Sequence, residues 1–119
     1  MDFDDFAWHD SIIKKVEIDR SNPGICDTIS IEIEWINGGN SKITFTDVYS
    51  AKLDMNFGVI ASESIRSAYI VDDDNFLTEL YVKWKTNLDG IKLHCYLIET
   101  NSTGSVLKII AKGFEIHAL

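Results

Sequence analysis

The chain has little of what staples or punctuates a small fold. Among 119 residues there are two cysteines and one proline, and no apolar run approaches the ~18 residues that span a membrane. Two thiols without a C-x-x-C pair exclude a zinc knuckle or a dithiol redox centre. Positive charge is also scarce: 11 Lys and Arg stand against 19 Asp and Glu, a formal net charge of −8. That balance argues against binding nucleic acid by phosphate neutralisation and against docking on an anionic membrane. No P-loop, G-x-G-x-x-G or G-x-S-x-G is present, and no cofactor is expected. The start, Met1-Asp2-Phe3-Asp4-Asp5-Phe6, is acidic and alternating where a secretory signal is basic and then apolar, so the expected location is cytoplasmic and both thiols reduced.

What is there is enough for a core. Apolar residues make up 45% and charged residues 25%, globular proportions for one domain over residues 1–119. The dominant period is two. Ile29, Ile31, Ile33 and Trp35 alternate with Thr28, Ser30, Glu32 and Glu34, which predicts a half-buried antiparallel strand. Asn37-Gly38-Gly39-Asn40 supplies a turn, and Ile43 and Phe45 continue the alternation, so residues 27–47 read as a hairpin. Residues 11–19 form an earlier strand, turned by Asn22-Pro23-Gly24. Leu53, Met55, Phe57 and Val59 suggest a separate fourth strand with a bulge or close approach at Gly58, and residues 65–71 suggest a short strand ending at Asp72-Asp73-Asp74.

There the period changes. Phe76, Leu77, Leu80, Tyr81 and Trp84 recur at helical spacing, predicting one helix over about 74–86, capped by Asp73 or Asp74 and closed by Lys83 and Lys85. The stripe Phe76, Leu80, Trp84 is its expected contact. A last hairpin follows, from Ile91 to Glu99 and from Ser105 to Lys112, with Cys95 in the buried phase. The expected class is α+β: a predominantly antiparallel sheet of about six to eight strands, with the helix packed on one face.

Candidate chemistry is sparse. His9, His94 and His117 could converge in a sheet, yet no metal-ligand spacing links them. Asp72 fails as the start of an EF-hand loop, because the positions requiring Gly and Glu hold Leu77 and Lys83. Glu32 and Glu34 share a strand face, as acid–base pairs do, but with nineteen acidic residues a solvated sheet face is the better account. Trp8 either staples over the sheet or is a partner-facing anchor. Residues 1–60 carry eleven acidic and five basic side chains, residues 61–119 eight and six. An acidic surface of this kind steers basic partners.

The opening Trp8-His9-Asp10-Ser11, running straight into a strand, resembles the start of small bacterial immunity proteins of polymorphic toxin systems. The resemblance implies a non-enzymatic protein that binds and neutralises a cognate toxin, often a basic nuclease. Speculative contacts on that reading are Trp8, His9, Asp10, Glu32 and Glu34. The alternative is a small-molecule-binding or enzymatic domain with a sheet-lined pocket using His9 and Asp10. Pairing of an exposed sheet edge with a second copy is a third possibility, and composition leaves the oligomeric state open.

Overall fold

The computed structural model describes residues 2–84, 88 and 90–119. After a 3-10 turn at Phe3–Asp5 come β1 (Ile12–Asn22), β2 (Cys26–Glu34), β3 (Asn40–Asp54), β4 (Glu63–Ile70), the helix α1 (Asn75–Lys83), β5 (His94–Thr100) and β6 (Val106–Ala118). All strand pairs are antiparallel, and the order β1-β2-β3-β6-β5-β4 closes on itself as a barrel. The α+β class holds, with one α-helix and six strands among the described residues. No described helix is long and apolar enough to cross a membrane.

The interior follows from the two-residue period. Ile29, Ile31 and Ile33 of β2, Ile43 and Phe45 of β3, Ile98 of β5 and Leu107 and Ile109 of β6 form one buried cluster. Gly38 and Gly39, both at positive φ (105° and 83°), make the β2–β3 turn that an L side chain would strain. The helix lies outside the barrel. Leu77 and Leu80 pack with Leu93, Cys95 and Ile110 into a second cluster, so β5 and β6 bury both of their faces where the helix covers them. Asp74 caps α1, accepting from the Phe76 amide at 2.8 Å, and also accepts from Lys108 Nζ at 2.8 Å.

Three expectations are corrected. The fourth strand over 53–59 is not separate: β3 itself runs to Asp54, opposite Val106 at the start of β6, and has no partner beyond it. Phe57 and Val59, 81% and 52% exposed, lie in the connection to β4, and Gly58 marks no bulge. Trp84 is the C-cap of α1 and 45% exposed, so Leu77 and Leu80 carry the helix contact in its place. Trp35 follows the end of β2, half-buried, with its Nε1 donating to Ser41 Oγ at 2.8 Å. Residues 85 and 86 of the expected helix lie outside the described residues.

Closure of the barrel is narrow. β1 and β4 pair only through Ile12 with Ser64 and Ile13 with Glu63. Past that point the edge of β4 is covered by the N-terminal segment. Ile65 N–H donates to Ser11 O at 2.7 Å, Asp10 N–H to Ile65 O at 2.8 Å, and Ile70 N–H to Asp4 Oδ1 at 3.0 Å. The segment is held from inside by Phe3, fully buried, whose ring lies 4.7 Å from Trp8, 4.9 Å from Tyr96, 5.4 Å from Phe114 and 6.0 Å from Phe45.

Candidate protein-binding cleft

β3 has a bend that decides where the surface opens. Asp47 takes a left-handed backbone (φ 51°), and the register against β6 shifts between Val48 and Ser50. Up to Phe45, β3 pairs with β2 on one side and β6 on the other; beyond the bend it pairs with β6 alone. The β1–β2 tip and the far half of β3 therefore part, leaving a cleft of about 450 Å³. Ile18, Arg20 and Asp27 line one wall, and Val48, Tyr49 and Leu53 the other. Its size falls within the usual range of roughly 300–1,000 Å³ for binding sites.

The walls combine uncovered apolar groups with fixed charge. Ile18 and Tyr49 are 59% and 42% exposed, and Ile25, 83% exposed, borders an adjoining recess with Asp47 and Tyr49. Asp27 accepts from the Gly24 amide at 3.0 Å and from Arg20 Nε at 3.0 Å. These bonds, the Gly24 amide foremost, hold its carboxyl below the usual range. Asp19 is held low in the same way by Ser21. Both carboxylates are charged at neutral pH. Around the cleft, Asp19, Asp27 and Asp47 face the single cation Arg20 among the described lining residues.

The residues singled out by sequence do not assemble with this cleft. Trp8 is 4% exposed and donates from Nε1 to Phe3 O at 2.6 Å, so it is the staple and not an exposed anchor. His9 Nδ1–H donates to Arg66 O at 3.0 Å, and Asp10, at φ 66°, turns the chain back to β4. Ser11 is fully buried; its hydroxyl donates to Ala7 O at 2.5 Å and accepts from Ile36 N–H at 2.9 Å. Each residue of Trp8-His9-Asp10-Ser11 thus has a structural task in closing the barrel.

Glu32 and Glu34 sit in a mixed-charge array on the outer face. Glu32 stands between Lys15 and Lys42 in register, and Glu34 is 4.0 Å from Lys14 Nζ. Lys15 and Lys42 also reach Glu17 at 2.8 and 3.9 Å. The cross-strand lysines break up the acidic face that the spacing of Glu32 and Glu34 suggested. The register that places them there is a non-local pairing, invisible in strand periodicity.

The histidines stay apart. His9 bonds to Arg66, His117 lies 3.4 Å from Glu115, and His94 Nδ1 lies 2.9 Å from Asp72 Oδ2. His94 is half-buried at the start of β5 and not freely on the surface; Asp72 reaches it while Asp72 Oδ1 accepts from Cys95 N–H at 3.3 Å. The described residues hold no group of three or more His, Cys, Asp or Glu placed to bind a metal ion. Desolvation in the helix–sheet layer pushes the Cys95 thiol up to about 11, a protonated core group.

The fold and cleft define a six-stranded antiparallel barrel with one splayed wall. Comparison of this chain with family models, curated proteins and solved structures finds no match.

Proposed function

We propose that this chain is a non-enzymatic protein-binding domain of the immunity type, which neutralises a basic toxin by engaging it with an acidic, partly apolar surface. The observation that carries the reading is the splayed wall. Ile18, Ile25 and Tyr49 are left uncovered there beside carboxylates whose hydrogen bonds keep them charged. Apolar contact supplies binding energy, while the negative rim accelerates encounter with a cation-rich partner and selects against acidic ones. The Trp8-His9-Asp10-Ser11 opening contributes by securing the barrel and has no need to touch the partner. His9 and Asp10 are spent on holding β4, which weighs against a catalytic pocket built on them.

The test is functional. The product of the reading frame directly upstream is expected to arrest growth when expressed alone, and this chain to relieve the arrest when co-expressed. The pair should co-purify at low salt and separate at high salt. Persistent arrest with both proteins expressed, and no complex across several salt concentrations, would overturn the reading.

A further inference from the structure

Beyond the Asp47 bend, residues 47–54 of β3 form a strand edge without a strand partner. Their other edge is paired with β6, and among the described residues no turn, loop or side-chain hydrogen bond reaches their backbone from the cleft side. Past the register shift the regular run Ser50–Asp54 is about 17 Å long, and in an antiparallel strand alternate residues turn both N–H and C=O to the same side. Roughly two or three residues of that run therefore offer paired donors and acceptors to the cleft. Native sheets cover, charge or shorten such edges, as this chain does on β4 with its N-terminal segment.

We propose that the cleft takes one extended strand of a basic partner, added antiparallel or parallel to the bare edge of β3, with alternate side chains against Ile18 and Tyr49. The proposal rests on the protein-binding reading above and names its site and mode. Main-chain pairing supplies affinity and is indifferent to sequence; the wall side chains select the strand. Three observations agree on the occupant. The edge is longer than a small molecule would use, the walls are apolar at Ile18, Val48 and Leu53, and Asp19, Asp27 and Asp47 outnumber Arg20 at the rim. A second copy of this chain would bring the same acidic rim and a net −8 against it, so self-pairing is disfavoured by charge.

The experiment uses the full chain, isotopically labelled, and a seven-residue peptide of alternating lysine and valine as probe. Amide shifts and gained exchange protection are expected over residues 47–54 and at the β1–β2 tip. N-methylation of alternate peptide amides should weaken binding at least tenfold in one phase and little in the other, because only one phase faces β3. The exposed-site substitutions Tyr49→Lys and Ile18→Lys should each weaken binding at least fivefold while leaving the unfolding midpoint in place. An alternating glutamate–valine peptide should bind at least tenfold more weakly. Absence of binding, shifts elsewhere, or equal tolerance of both methylation phases overturns the proposal. Sedimentation showing a dimer that Tyr49→Lys dissolves would assign the edge to a second copy and also overturn it. A toxin complex that forms unchanged with Tyr49→Lys and Ile18→Lys would remove the strand site and leave the immunity reading standing; peptide pairing without any toxin neutralisation would do the reverse.

Discussion

Phe3 offers the sharpest test of how the barrel is closed. Its side chain is fully buried, and its ring partners Trp8, Tyr96, Phe114 and Phe45 come from the N-terminal segment, β5, β6 and β3. An aromatic side chain buries on the order of 150–250 Å². At about 25 cal/mol per Å², that is worth roughly 4–6 kcal/mol, part of which an alanine retains. Three of the four neighbours are anchored on paired strands, so the space left by Phe3→Ala cannot readily collapse. The cost is therefore expected in the upper part of the range of about 3–5 kcal/mol for such truncations. Against a typical stability of roughly 5–15 kcal/mol, the melting midpoint should fall by on the order of 10–20 °C. Phe57→Ala is the matched control: the same chemistry at an 81% exposed position should cost under about 0.5 kcal/mol. Urea and thermal unfolding followed by tryptophan fluorescence suit the test, since Trp8 lies 4.7 Å from the Phe3 ring. A loss below about 1 kcal/mol in Phe3→Ala, or equal losses in both variants, would refute the claim that this segment is integral to the core.

Other consequences are equally direct. Asp10 occupies a left-handed backbone, so Asp10→Val should destabilise by about 1–2 kcal/mol and Asp10→Gly should be tolerated, as compared by denaturation midpoints. The Lys108 ammonium and the Phe76 amide hold the Asp74 carboxyl below its ordinary range. Its stabilisation is then full above about pH 4 and lost as pH falls through the lower folded-state value. Asp74→Asn keeps a capping oxygen but loses the charge, so the variant should be weaker by about 1 kcal/mol at neutral pH and converge with the parent in acid. Lys108 is shifted upward by the same partner, so its share is present below about pH 10.5 and lost as pH rises through its folded-state value. A maleimide at neutral pH should label exposed Cys26 quickly and reach Cys95 only at the rate of unfolding; mass spectrometry of the native protein would show one adduct.

Local pattern carried much of this architecture. The β2–β3 hairpin, with its isoleucine face and glycine turn, was legible because neighbours in sequence are neighbours in space. So was α1 with its aspartate cap, since a capping bond spans only two residues here. The alternation past Asp54 misled because period alone does not report whether a partner strand is present; β6 begins at Val106, and the chain there leaves the sheet. Trp84 fits a helical stripe yet lies past the last helical residue, where the turn rotates it outward. The cleft itself left a faint trace. Asp47 between two strand halves gives no periodic signal, and the bare edge exists only because β2 ends its pairing at Phe45. Glu32 illustrates the same limit: its face was readable, its two lysine neighbours were not.

β6 carries one more consequence, through the order in which the chain is made. It lies between β3 and β5 and closes the sheet into a barrel, yet it is the last of the six strands to emerge during synthesis. Until it arrives, β3 beyond the bend has neither neighbour, and β5 has only β4. The nascent chain must therefore wait as an open five-stranded sheet, joined in the middle only by the narrow β1–β4 contact and with bare edges on β3 and β5, the condition in which strands pair with the wrong chain. The same geometry makes the molecule divisible. A fragment ending before residue 105 should stay soluble only when the β6 strand is supplied as a separate peptide, and mixing the two would turn barrel closure into a binding reaction whose rate and affinity can be read.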